Sequence, residues 1–279
     1  MQFTHFLTAY ISIVLFVLGT VIGSFLNVLI YRLPLGLKFD RLSDHSFCPN
    51  CKHRLYAKDL FPLFSWLFLR GKCRYCKAPI SPRYPIVEAL NGVMYVLAYV
   101  VLCGGATEQG TGLSLGLLGY MAFFSALLVA AWVDAEHQII PDSQWIVIFV
   151  AGLLLAGDKL IAEKGFTPDF VSFIISRGIG LVAVSGLFFL IALVTGGRAM
   201  GGGDIKLMAA VGFVLGWKAV VVALFAAAIL GALFALLRKL FFKKKMRGVV
   251  PFGPFLAAGS ALCAFVGEAI FDGYLDLFL

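Results

Sequence analysis

Two segments of the sequence carry aspartates beside long apolar runs, where a membrane normally excludes ionisable side chains. Asp134 and Asp142 lie in the segment from Trp132 to Asp142, and Asp204 lies in the segment from Gly201 to Lys206. Two carboxyl groups within hydrogen-bond distance share one proton, so one acts as a base towards water while the other polarises a carbonyl group. The pattern predicts aspartic-protease chemistry by Asp134 and Asp204, titrating as a pair.

The residues around these two aspartates have predicted supporting roles. Gly201 and Gly203, which flank Gly202, lack side chains and leave room for an extended substrate beside Asp204, with free amides at a helix start. Asp142 follows Pro141 and either supports the reacting carboxyl groups or caps the next helix. Lys206 either extends to the lipid headgroups or keeps Asp204 ionised. If Asp134 stood alone, a role as an interfacial acid that caps the next helix would explain it better than catalysis would.

Four cysteines form a second pattern, with Cys48 and Cys51 in one C-x2-C pair and Cys73 and Cys76 in another. Two such knuckles turn four thiolates towards one point, which predicts a tetrahedral zinc ion with no open position and therefore a structural role. Two disulfides are the alternative, and a reducing cytosolic location argues against them. The loop at about residues 34–84 is too small for a buried core and needs such a metal to fold.

The composition indicates a membrane protein, because 61% of the 279 residues are hydrophobic, 14% are charged and the mean hydropathy is +0.96. A spanning helix needs roughly 20 mostly apolar residues. We therefore predict an all-α polytopic membrane protein with about eight transmembrane helices and a small zinc-ribbon-like cytoplasmic loop. The sixth apolar stretch is short and follows the glycines, which suggests a half-helix. The predicted spans lie near residues 8–31, 86–102, 113–133, 143–162, 170–194, 205–216, 218–237 and 253–271.

The basic residues orient these spans, because cytoplasmic loops collect lysine and arginine. With both termini outside, Lys243 to Lys245 and most other basic residues face the cytoplasm, as do the cysteine loop and both aspartate segments. The net charge of +8 then reflects topology and contact with membrane lipids, with no nucleic acid as a partner. Of the 23 lysines and arginines, this orientation leaves four on the outer side: Lys159, Lys164, Arg177 and Lys218.

The aspartate segments resemble the motifs of a known family. Asp134 to Asp142 is similar to the pattern D-x5-[IL]-P-D, and Gly201 to Lys206 is similar to G-x-G-D-x-K; both are typical of type IV prepilin peptidases, a group of GxGD-type membrane aspartic proteases. The resemblance implies that Asp134 and Asp204 are the catalytic pair. It extends to Gly23–Pro34, Ile80–Glu88 and Pro251–Phe255, and so runs through nearly the whole chain.

The resemblance also implies what the protein does and where. It implies cleavage of the basic leader of prepilins or pseudopilins after a glycine, at the cytoplasmic face of a bacterial inner membrane. It further implies N-methylation of the new terminus with S-adenosylmethionine. Residues 1–112, with the zinc loop, would then form the methyltransferase part and residues 113–279 the peptidase domain. Polar residues that could serve the methyl donor, or equally only helix packing, are Asn27, Arg32, Arg83 and Glu88.

Two other classes of protein remain as alternatives. A transporter or channel could use a glycine-broken half-helix and membrane acids as an ion path, although such proteins usually show internal repeats and charges at the midplane. A zinc-ribbon scaffold without catalysis would explain the cysteines but leave both aspartate segments unexplained.

Overall fold

The structure is a computed structural model that describes residues 2–36, 46–108, 110–241 and 250–278. Contacts between its Cα atoms divide the chain into two compact units, Met1–Leu113 and Ser114–Leu279. The described helices are α1 Gln2–Arg32, α2 Phe64–Phe68, α3 Arg83–Leu97, α4 Leu115–His137, α5 Asp142–Ala162, α6 Pro168–Thr195, α7 Gly202–Leu215, α8 Trp217–Phe241 and α9 Gly253–Phe278, with a π-helical turn Ala98–Leu102 extending α3.

The first unit is built on the close packing of α1 against α3. A Cβ atom at Gly19 would lie 2.7 Å from the Cα of Gly92, and one at Gly23 would lie 2.7 Å from the Cα of Glu88. Small residues at this spacing let two membrane helices approach closely. The buried side chain of Asn91 then donates a hydrogen bond from Nδ2 to the Gly19 carbonyl at 2.8 Å. Backbone contact and this bond together hold the helix pair.

The second unit places the short helix α7 among longer ones, in contact with α5, α6, α8 and α9. Seven of its 14 residues are buried, and Gly212 lies so close to Gly180 of α6 that neither position has room for a side chain. A helix of 14 residues is about 21 Å long, less than the roughly 30 Å hydrocarbon core of a bilayer. Its protein surroundings, rather than its own length, keep it in the membrane domain.

The predicted multi-pass, all-α class is confirmed. Seven helices among the described residues are long and apolar enough to cross a membrane, and α7 corresponds to the predicted short sixth stretch. Arg177, which the charge distribution left on the outer side, lies inside α6 with its guanidinium group 4.4 Å from the centre of the Phe173 ring. The predicted basic anchor Lys243 to Lys245 lies outside the described residues.

Candidate active site and metal centre

Asp134 lies in the last turn of α4 and is almost entirely buried, with 7% of its surface exposed. The helix ends three residues later at His137, and the C-cap residue Gln138 adopts the left-handed conformation and donates its amide to the Asp134 carbonyl. The Oδ2 atom of Asp134 accepts a 2.8 Å hydrogen bond from the backbone amide of Gly253, the first residue of α9. A helix N-terminus favours negative charge, so this contact stabilises the ionised carboxylate.

Asp204 lies in the first turn of α7 and is half-buried. The backbone amide of Gly201, the N-cap residue, favours the ionised form of the Asp204 carboxyl group, which lies close enough to Asp134 for the two to interact electrostatically. Burial and, after it, the Asp134 charge raise the pKa of Asp204 to about 6. The structure therefore brings together the two carboxyl groups that the sequence singled out, from α4 and α7 of the same unit.

The glycines before Asp204 fit tightly against the first aspartate segment. A Cβ atom at Gly203 would lie 3.0 Å from the Cβ of Ile140, two residues before Asp142, whereas one at Gly201 would lie 3.2 Å from Oδ2 of Asp204 itself. Gly202 has open space instead. Gly203 is thus a packing contact between the two segments, and Gly201 keeps the surroundings of the carboxyl group free.

Asp142 and Lys206 pair with each other. The Lys206 Nζ atom lies 2.7 Å from Oδ1 of Asp142, which also accepts a 3.1 Å hydrogen bond from the Trp145 indole. Asp142 is the first residue of α5, and Pro141 occupies the N-cap position with no side-chain cap bond. The ion pair joins α5 to α7 on the exposed side of the site, and it gives Lys206 a partner other than Asp204.

In the first unit, the four cysteines converge as predicted. Their Sγ atoms all lie within 4.8 Å of one another, and the Cys48 and Cys76 sulfurs are 3.8 Å apart. Tetrahedral zinc with Zn–S bonds of about 2.3 Å requires S···S edges of about 3.8 Å. All four thiols are free, so the disulfide alternative is not realised. The cluster has the donors and the spacing to hold a metal ion, and zinc fits them.

The two knuckles repeat one backbone design. The amide of Cys48 donates to the His53 carbonyl and that of Cys73 to the Ala78 carbonyl, the same distance along the chain in each knuckle. In each case the residue after the second cysteine, Lys52 or Lys77, has a positive φ near 60°. This repeated turn places both sulfurs of a pair on one side. The spacing of the cysteines was therefore enough to predict that the four sulfurs converge.

Comparison with known proteins gives two family matches that fall in different parts of the chain. Residues 17–102 match the Bacterial Peptidase A24 N-terminal domain, and residues 121–236 match the Type IV leader peptidase family. Proteins named prepilin leader peptidase/N-methyltransferase are 32% identical in Stutzerimonas stutzeri, covering 93% of this chain and 92% of the relative, and 34% identical in Dichelobacter nodosus, covering 89% of each. The chain belongs to the prepilin leader peptidase/N-methyltransferase family. No solved structure matches it.

Gly253 contacts Asp134 of the candidate site, and sequence reasoning assigned it no role. A Cβ atom at this position would lie 2.6 Å from Oδ2 and 2.9 Å from Cγ of Asp134, so only glycine lets the amide reach the carboxylate. In the sequence, the feature that pointed to Gly253 was its position in Pro251–Phe255, a segment that resembles the leader peptidase family. That resemblance could not reveal the contact, because Gly253 and Asp134 are 119 residues apart in the chain.

The first unit of this family member also contains buried polar residues. Oε2 of Glu88 accepts a 2.8 Å hydrogen bond from the Leu63 amide, and Asn27 donates from Nδ2 to the Tyr84 carbonyl at 3.2 Å. Oδ1 of Asn27 is buried with no hydrogen-bond partner among the described residues. Arg32 ends α1, and Arg83 begins α3. The structure thus brings Asn27 and Glu88 into the α1–α3 packing, where both remain largely inaccessible.

Proposed function

We propose that this protein is a membrane aspartic endopeptidase that cleaves the basic leader of type IV prepilins or pseudopilins after glycine, with Asp134 and Asp204 as the catalytic pair. The observation that carries the proposal is the approach of these two carboxyl groups from separate helices. Membership of the leader peptidase family supports the substrate class. A transporter would need charges along a path, whereas the paired acids at one end of α4 and α7 suit hydrolysis.

The two aspartates divide the acid and base roles. The Gly253 amide stabilises negative charge at Oδ2 of Asp134, whereas Asp204, with its raised pKa of about 6, more readily keeps a proton. We therefore assign the shared proton of the resting pair chiefly to Asp204. Asp134 is then the base that accepts a proton from water, and Asp204 is the acid that polarises the scissile carbonyl group.

Hydrolysis follows from this assignment. The water oxygen attacks the carbonyl carbon as its proton passes to Asp134, and the Asp204 proton passes to the carbonyl oxygen, which forms a tetrahedral diol. The C–N bond then breaks as Asp134 gives its proton to the leaving amine. A diol hydroxyl returns its proton to Asp204, which releases the leader acid and the new N-terminal amine and restores the starting pair.

Gly253→Ala should lower the kcat for cleavage by about 10²-fold with little change in KM, because the added Cβ displaces the Asp134 carboxylate by an ångström or so. Gly273→Ala in the same helix is the matched control, since a Cβ there meets nothing within 4 Å and should leave cleavage unchanged. Steady-state cleavage of a prepilin peptide measures both.

Replacing residue 253 by glycolic acid removes only the N–H group and leaves the shape of Gly253 intact. We expect this ester to lower kcat by about tenfold and to shift the acidic limb of the pH profile to higher pH, because a donor to the ionised Asp134 is lost. If the ester retains wild-type kcat and pH profile, the hydrogen bond has no role in positioning Asp134.

We assign methylation of the new terminus to residues 1–112 and cleavage to residues 113–279. Support comes from the separate family matches, and from relatives whose names combine peptidase with N-methyltransferase. The methyl donor would be S-adenosylmethionine, whose amino group suits a buried acceptor such as the unpartnered Oδ1 of Asn27 or the Glu88 carboxylate. The donor supplies the methyl group, and no transfer step is assigned to either side chain.

We also propose that Cys48, Cys51, Cys73 and Cys76 bind one structural zinc ion. The four sulfurs have the spacing of a closed tetrahedral shell, which leaves no position for a reactive water molecule. The ion would hold the two knuckles together and so order the loop between α1 and α3. The peptidase reaction uses other groups and does not need the metal.

A single assay tests both proposed activities. Purified protein is incubated with a prepilin peptide, with and without S-adenosylmethionine, and the products are weighed by mass spectrometry. We expect loss of the leader in both reactions and one added methyl group only when the donor is present. An uncleaved peptide with folded protein would overturn the peptidase assignment, and a cleaved but unmethylated one would overturn the methyltransferase assignment.

We propose that the cysteine loop and both aspartates face the cytoplasm of a bacterium, with the chain in its inner membrane. Lysine and arginine placement supports this orientation. In a background lacking Cys103 and Cys263, a cysteine replacing Lys58 should resist a membrane-impermeant thiol reagent in intact cells, and one replacing Glu108 should react. Labelling at position 58 and protection at position 108 would show that the chain has the opposite orientation.

A further inference from the structure

The loop between α1 and α3 carries an exposed apolar surface around α2. Phe61, Phe64, Leu67 and Phe68, here called the aromatic face, expose 60%, 51%, 63% and 79% of their surface. The Phe64 ring lies 5.7 Å from that of Phe61 and 6.2 Å from that of Phe68, so the rings form one continuous patch. Positions 64, 67 and 68 share one side of the helix because residues three and four apart are neighbours there.

The other side of α2 is tied to the loop, which keeps the aromatic face turned outwards. The Trp66 indole donates a 3.1 Å hydrogen bond to the Ile80 carbonyl, and the hydroxyl of the buried Ser65 donates to the Lys58 carbonyl at 3.2 Å. These two hydrogen bonds fix the orientation of α2, and the apolar side chains on its other side are exposed. Exposure of four large apolar side chains in one patch is typical of an interaction surface.

The hydrogen bond between the Leu63 amide and Glu88 fixes the position of the aromatic face along the axis of α3. Glu88 is five residues beyond Arg83, the first residue of α3, which corresponds to about 7.5 Å along the helix axis. Leu63 directly precedes α2, so the aromatic face begins beside the second turn of a predicted membrane span. With Arg83 at the membrane surface, this position would lie near the boundary between headgroups and acyl chains.

The charge around the aromatic face is strongly positive. Asp59 is the only acid in residues 46–82, and it is paired with Arg74 at 2.6 Å and accepts a hydrogen bond from Tyr75. A cavity of about 430 Å³ lies between the rings and the basic residues Lys58 and Arg74. Seven lysines and arginines lie in the same segment: Lys52, Arg54, Lys58, Arg70, Lys72, Arg74 and Lys77.

We propose that the aromatic face inserts into the bilayer that holds the chain, at the boundary between headgroups and acyl chains, and that Lys58 and Arg74 beside it bind anionic phospholipid headgroups. Exposed aromatic side chains beside lysine and arginine are the composition of interfacial membrane-binding segments. The depth set by Leu63 and Glu88 favours lipid over a soluble protein as the occupant. The insertion would keep the cysteine cluster at the membrane surface, and it does not depend on the peptidase assignment.

Site-specific crosslinking in nanodiscs tests this proposal on the full chain. Benzoylphenylalanine replaces Phe68 in one variant and, as a control, the exposed Lys77 of the second knuckle in another. The discs contain phosphatidylcholine alone or with added phosphatidylglycerol. We expect several-fold more phospholipid adduct from position 68 than from position 77, enriched in phosphatidylglycerol beyond its share of the lipid and less so at high salt.

A second variant separates insertion from mere nearness to lipid. With the crosslinker at Leu67, Phe64→Ser plus Phe68→Ser should lose most of the lipid adduct while its zinc content stays at the wild-type level, which shows that the loop is still folded. Equal lipid adduct at positions 68 and 77, adduct to a second copy of the chain in place of lipid, or undiminished lipid adduct in the double variant would each overturn the proposal.

Discussion

Asp134→Asn and Asp204→Asn should each abolish leader cleavage, with a fall in kcat of roughly 10⁴-fold or more. Each substitution leaves an amide that can neither carry the shared proton nor accept one from water, so the whole acid–base pair fails. Because the two groups act as a unit, the double variant should be no worse than either single one. Mass spectrometry of the prepilin peptide products measures the loss.

Asp142→Asn is the matched control for the aspartate pair. Its carboxylate is exposed and pairs with Lys206 and Trp145, so it should retain substantial cleavage activity. Folding is checked separately through membrane insertion and thermal stability, which removal of the buried Asp134 carboxylate should leave unchanged or raise. Full processing by well-folded Asp134→Asn or Asp204→Asn protein would refute the mechanism and make ion transport the next hypothesis to examine.

Loss of one zinc ligand, as in Cys73→Ser, should remove most of the bound metal and disorder the loop. Structural zinc contributes about 10–16 kcal/mol to the folding of small zinc domains, and the loop has no comparable core of its own. We expect about one zinc per chain in the wild type by elemental analysis. In the variant we expect the loop to become protease-sensitive and methylation to fall at least about tenfold, while cleavage is reduced much less.

Cys103→Ser is the control, because Cys103 lies in the same unit but outside the cysteine cluster. It should keep both zinc and methylation. The zinc proposal would be refuted if folded protein contained no metal and all four thiols of the cluster reacted with an alkylating reagent. If Cys73→Ser lost cleavage as completely as methylation, the proposed division of the two activities between the parts of the chain would be wrong.

The cysteine loop illustrates how much local spacing can predict. The order of the cysteines was enough to anticipate their convergence, because each C-x2-C pair forms its knuckle within a few residues. The contact between Leu63 and Glu88 could not be predicted from local spacing. The amide and the carboxylate are 25 residues apart, and nothing in the sequence around either residue indicates that the other is its partner. It depends on how the loop folds back onto α3.

The membrane class, the approximate helix positions and the choice of Asp134 and Asp204 could all be predicted from the amino-acid sequence, because hydropathy and short motifs are properties of neighbouring residues. The groups that surround the two carboxylates could not be predicted in this way. The packing of α4 against α9 brings the Gly253 amide to Asp134, and the packing of α5 against α7 brings Lys206 within ion-pair distance of Asp142. Such contacts depend on side-chain volumes and on glycines that allow close approach across helices, and no local pattern encodes them.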